Sequence, residues 1–171
     1  MDRRWKVEHA QIIAEEDFDY FKMGIIPSIQ PTHATSDMYW AEARLGPARG
    51  RGAYAFKTLL DKAGILALGT DFPVEQVNPF LTFYAAVSRQ DLQGHPQGGF
   101  QVKDALSREE TLKGMTLWAA YSNFEENEKG SITPGKFADF VLLSGDIMTV
   151  PTEKIPLVEA EQVYVGGARV K

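Results

Sequence analysis

Short apolar runs alternate with segments of helical spacing along the first part of the chain, and each apolar run ends on a polar or charged group. Arg4 to His9 reads as a short strand closing on His9. Ala14-Glu15-Glu16-Asp17 then opens a helix to about Met23, its acidic first turn matched to the positive end of the helix dipole. Gly24 closes that helix, and Ile25 to Gln30 follows as a second strand. Pro27, with no N–H to give a ladder, suits an irregular or edge position there. Pro31 to Gly52 is a long polar connection of the length expected for a functional loop. It carries a short helix from about Asp37 to Leu45 and a flexible stretch from Gly46 to Gly52. Ala53 to Ala63 has helical apolar spacing, Gly64 stops it, and Ile65 to Gly69 forms a third strand leading into Thr70-Asp71. Right-handed crossovers lay these strands parallel and side by side, so His9, Gln30 and Asp71 are expected at one edge of the sheet.

Downstream, Asn78-Pro79 has N-cap and first-turn chemistry for a helix over Phe80 to Val87. Ser88 to Ala105 is polar and glycine-rich, a long loop expected to cover the rim formed by the strand ends. Ser107 and Glu110 make a capping box for a helix through about Ala120. From Gly130 the texture becomes β-like: turn chemistry to Lys136, an apolar run over Ala138 to Leu143, and Gln162 to Val170 with a Gly166-Gly167 hairpin turn. The expected fold class is therefore α/β, divided into residues 1–129 and a small β appendage over 130–171.

Composition narrows the function. A chain of 171 residues with 44% hydrophobic content can bury a core, and a net charge of -5 argues against a nucleic-acid partner. No apolar run approaches the roughly 20 residues that span a bilayer, so no membrane partner is expected and a cytoplasmic location is. The absence of cysteine leaves His, Asp and Glu as the residues able to hold a metal.

In parallel β/α folds ligands collect at the carboxyl ends of strands, which makes His9 and Asp71 candidates for metal ligation or proton transfer. Metal-dependent hydrolysis normally needs three or more protein ligands, and these are one imidazole and one carboxylate. The chain thus reads as part of an enzyme. Asp71 also suits a turn or helix cap, and His33 suits either substrate contact or loop packing. Glu8 and Gln11 read as supporting or surface groups, and His95 as an exposed loop residue. Tyr54, Phe56, Phe80, Phe83 and Tyr84 read as core. Gly46 to Gly52 lacks the Gly-Lys-Ser/Thr ending of a phosphate loop.

Four segments in this order, Val7-Glu8-His9-Ala10-Gln11, Ser28-Ile29-Gln30-Pro31-Thr32-His33, Leu68-Gly69-Thr70-Asp71-Phe72-Pro73-Val74 and Gly130 to Asp139, resemble the amidohydrolase superfamily. The likeness is to its amidohydrolase-3 branch, which includes N-substituted formamide deformylase. The resemblance implies a (β/α)8 barrel of TIM type whose rim binds one or two divalent metals, zinc by the donor types, flanked by a β-sandwich. Here it covers the last three strand-helix units and the C-terminal strands of the sandwich. It implies His9 as the sixth-strand metal ligand and Asp71 as the eighth-strand ligand and catalytic proton acceptor; Gln30 and His33, at the same rim, are the substrate-binding candidates. A His-x-His pair, a bridging lysine carboxylate or glutamate and a further histidine would complete the metal site, and none is found in this sequence. The expected activity is hydrolysis of a non-peptide C–N bond in a small-molecule substrate by metal-activated water. The chain alone would be inactive without the missing N-terminal half of the barrel, and an open sheet edge would allow a homo-oligomer. The alternative is a non-catalytic half-barrel serving as an interaction or regulatory module.

Overall fold

In the computed structural model, which describes residues 2–171, the three expected strands form one parallel sheet in the order β1 (Lys6–Glu8), β2 (Ile26–Ile29), β3 (Ala67–Leu68). Pro27 lies in the central strand, against expectation, and the register explains why. In a parallel strand the backbone groups of successive residues face opposite neighbours. Ile26 N–H bonds Trp5 on the β1 side, so the Pro27 nitrogen faces β3, whose pairing begins only at Ser28. No ladder bond is lost.

Helical structure exceeds the sequence expectation in one place and falls short in others. Pro31 to Gly50 is mostly helical, as α1 (Pro31–Asp37) and α2 (Ala41–Gly50), rather than a loop with a helix at Asp37 to Leu45. Gly46, at φ 72°, kinks α2 just before Pro47, so the stretch expected to be flexible is a broken helix. The first helix is a 3-10 helix over Glu15–Met23. The next, α3 (Phe56–Ala63), starts later than expected because Tyr54 sits at φ 52°. Asn78 caps α4 (Pro79–Ser88) through Phe80 N–H, and Ser107 with Glu110 closes the capping box of α5 (Arg108–Met115). The expected single helix to Ala120 breaks at Thr116, whose hydroxyl bonds back to the Leu112 carbonyl, before α6 (Leu117–Ser122) begins.

The main core lies where α3 and the 3-10 helix cover the sheet, with Ile29, Leu59, Leu66 and Phe56 buried. Two features pin it. Gly52 passes directly over Ile13: Ile13 N–H bonds the Gly52 carbonyl at 2.9 Å, and a Cβ at position 52 would lie 1.8 Å from the Ile13 oxygen. Arg89, fully buried after α4, is held between Phe56 and Phe100 and donates through Nε to the Phe100 carbonyl. Burial pushes its guanidinium down to about 10, which leaves it charged at neutral pH. This anchor ties the Ser88 to Ala105 segment back onto the core.

A second, antiparallel sheet of β4 (Phe140–Leu143), β5 (Ala160–Val165) and β6 (Ala168–Arg169) has the expected Gly166-Gly167 turn. The segment between β4 and β5 packs Ile147 and Ile155 on Phe83 and Tyr84 of α4, while Arg108 donates to the Ile147 and Val150 carbonyls.

Arg4 fixes the start of β1. It forms a two-pronged pair with Glu126, at 2.8 and 2.6 Å, and stacks over Tyr121 and Phe124. The pair lowers the Glu126 carboxyl from 4.5 to about 2. A carboxyl depressed by folding contributes stability that is complete above its unfolded value and lost as pH falls through its folded one. The clamp should therefore weaken between about pH 4.5 and 2. Trp5 fluorescence during acid titration should show a transition in that window, and Glu126→Gln should remove it; an unchanged transition in the variant would count against the clamp.

Candidate metal centre

The ends of the three parallel strands carry the site, as their order requires. His9 follows β1 at φ 66° and Asp71 follows β3 at φ 61°. Left-handed backbone at residues other than glycine costs on the order of 1 kcal/mol or more and concentrates at functional positions. Gln30 ends β2 and is the N-cap of α1, so His33, one turn into that helix, projects beside the same edge. One donor atom from each of His9, His33 and Asp71 lies within 4.8 Å of the others, and the His9 and His33 ring centroids are 5.9 Å apart. The sequence leaves His33 between substrate contact and loop packing; the geometry brings it together with His9 and Asp71.

A relay of supporting groups sets the His9 tautomer. The Glu8 carboxylate accepts from Ser28 Oγ (2.8 Å) and from Gln30 Nε2 (2.6 Å). That turns Gln30 Oε1 toward His9 Nδ1 at 2.9 Å. The Gln30 oxygen can only accept, so the contact calls for a proton on Nδ1, and a neutral ring then has its lone pair on Nε2. Gln30 is buried, and both ends of its amide are bonded within this relay.

His33 lies between two carboxylates. Its Nε2 is 3.0 Å from Asp71 Oδ2 and its Nδ1 is 3.3 Å from Glu75 Oε1. A neutral ring has one N–H and can satisfy only one of them. A second proton, or a cation shared with the other carboxylate, makes both contacts attractive. Glu75 went unnoticed in the sequence. It reaches this place because the Asp71 carbonyl accepts both Val74 and Glu75 N–H, a turn that sets the two carboxylates on either side of one imidazole.

The other candidates fall outside the cluster. Gln11 donates to Asp37 and Tyr54, as a supporting residue. His95 is exposed and stacks on Tyr39. The donor chemistry fits a divalent ion. His9 offers a free Nε2, and a proton on Nδ1 of His33 toward Glu75 leaves its Nε2 beside Asp71, giving two imidazole nitrogens and one carboxylate.

Comparison with known proteins adds an independent line. The family model described as "Amidohydrolase family" matches residues 1–171. The chain is 33% identical over 168 residues to "Putative amidohydrolase YtcJ" of Bacillus subtilis, covering 96% of this chain and 31% of that protein. It is 35% identical over 171 residues to "Protein LONG AFTER FAR-RED 3" of Arabidopsis thaliana, covering 99% of this chain and 29% of that protein. The chain thus spans about three-tenths of the length of these curated relatives. The crystal structure of an uncharacterized metal-dependent hydrolase from Pyrococcus horikoshii superposes with a TM-score of 0.76 at 28% identity, covering 89% of this chain and 31% of that one.

Proposed function

The chain belongs to the amidohydrolase family, and from that premise we propose that it supplies the C-terminal donors of a metal-dependent hydrolase acting on a C–N bond of a small molecule. Its three parallel strands are read as the last three strand-helix units of a (β/α)8 barrel, completed by further polypeptide. The observation that carries this reading is the convergence of His9, His33 and Asp71 at the ends of neighbouring strands and the helix that follows the middle one. Three protein donors with a remaining open position is the pattern of catalytic zinc sites.

His9 Nε2, His33 Nε2 and an Asp71 oxygen would hold the ion. A divalent ion there would supply Lewis acidity, able to polarise a carbonyl and to lower the pKa of water to roughly 7. Gln30 bonds His9 Nδ1 at 2.9 Å and Glu75 Oε1 lies 3.3 Å from His33 Nδ1, contacts that would leave the Nε2 of each ring for the ion. Asp71 accepts the proton of the attacking water and returns it to the departing nitrogen, so the amine leaves neutral.

Zinc titration of the chain, followed through the histidine ring signals, tests the assignment. His9 and His33 should shift together at one equivalent, and a His9→Ala/Asp71→Ala double variant should lose the effect. Undiminished binding by that variant, or zinc shifts confined to His95, would overturn the reading.

A further inference from the structure

Beside the donor cluster, behind Glu75, lies a cavity of about 260 Å³ between α1, α4 and the turn at residues 90–93. Thr32, Thr35 and Ser36 line it from α1, Tyr39 from just beyond that helix, and Tyr84 from α4. Glu75 belongs to both places: its Oε1 meets His33 Nδ1 and accepts the Ser36 hydroxyl at 2.7 Å, while its carboxylate forms part of the cavity wall. Glu75 thus links the cavity lining to His33, whose other nitrogen meets Asp71.

The charge of the lining is one-sided. Its ionisable acids are Glu75 and Asp91, and no lysine or arginine is among its residues. Asp91 stays ionised: the Tyr39 hydroxyl, and then the backbone N–H groups of His95 and Gln93, hold its carboxyl below the usual range. Glu75 Oε2 accepts no hydrogen bond from any described residue.

We propose that this cavity is the substrate subsite and that it takes a compact group bearing an alkylammonium nitrogen. The inference rests on the hydrolase reading and deepens it by naming a substrate class. Two carboxylates in a lining that holds no lysine or arginine disfavour an anion and give a neutral group no charge to meet. An ammonium brings donors to the free Glu75 oxygen. The size selects a small ligand, since the cavity lies at or below the lower end of ordinary ligand pockets, roughly 300 Å³.

The test is a titration of the chain with n-butylammonium, 1-butanol and butyrate at matched ionic strength, read from backbone amide signals. The cation should bind at least about tenfold more tightly than the alcohol and shift Thr35, Tyr39, Ala85 and Asp91, with no binding of butyrate. Asp91→Asn, which leaves the donor cluster untouched, should erase most of the preference for the cation over the alcohol, and Glu75→Gln should do the same. Equal binding of cation and alcohol, or a preference unchanged in both variants, would overturn the proposal. Zinc titration of the same samples separates the two readings. Zinc shifts at His9 without a cation preference refute the subsite alone. A cation preference without zinc shifts refutes the metal centre and removes the assignment of the cavity to substrate.

Discussion

Asp71→Asn is expected to lower turnover of a full-length hydrolase carrying this segment by about a thousandfold, within the range of 10² to 10⁴ assigned to positioned proton transfer. The change is nearly isosteric, and asparagine tolerates the left-handed backbone that Asp71 adopts at φ 61°. The thermal midpoint should therefore stay close to that of the parent. What is lost is specific: the amide cannot accept a proton from water, and it removes the negative charge beside His33 Nε2. Turnover and metal content measured on the same preparation distinguish the two losses. Turnover within tenfold of the parent would remove Asp71 from the proposed chemistry.

Gly52→Ala is the substitution with the largest expected cost to the fold. Its Cβ would fall 1.8 Å from the Ile13 carbonyl oxygen, and that oxygen is backbone, so no side-chain rotation relieves the clash. The two segments must move apart, which strains the Ile13 to Gly52 and Tyr54 to Gln11 hydrogen bonds on either side of the crossing. Overpacking of this kind costs on the order of 3 kcal/mol or more. Chemical denaturation should show the midpoint falling with an unchanged slope, and His9 should lose definition, because Gln11 lies only two residues beyond it. Parent-like stability would mean that the crossing has slack.

The site's outline was readable because it follows from local signals. Each apolar run stops at a polar residue, and crossover handedness brings His9, Gln30 and Asp71 to one edge. Glu75 was not readable, because its place depends on a turn closed by the Asp71 carbonyl rather than on any periodic pattern. The helix α1 was missed for a related reason. Pro31-Thr32-His33-Ala34-Thr35-Ser36-Asp37 is polar, contains two β-branched threonines and shows no apolar stripe. It is helical because Pro31 starts it and Ala34 is wholly buried against the core. Missing that helix also hid the position of His33, since only the first helical turn carries it back beside Asp71. Pro27 shows the opposite case: the general rule was sound, but the strand on its bare side begins one residue later.

The position of α4 has a wider consequence. Its Phe83 and Tyr84 pack with Ile147 and Ile155, while Ala86 lies in the main core and Tyr84 also borders the acidic cavity. The helix is thus a shared wall, and the C-terminal segment acts at a distance as a buttress for the cavity. Sequence drift in that remote tail can retune the pocket's shape without altering any residue that a ligand touches.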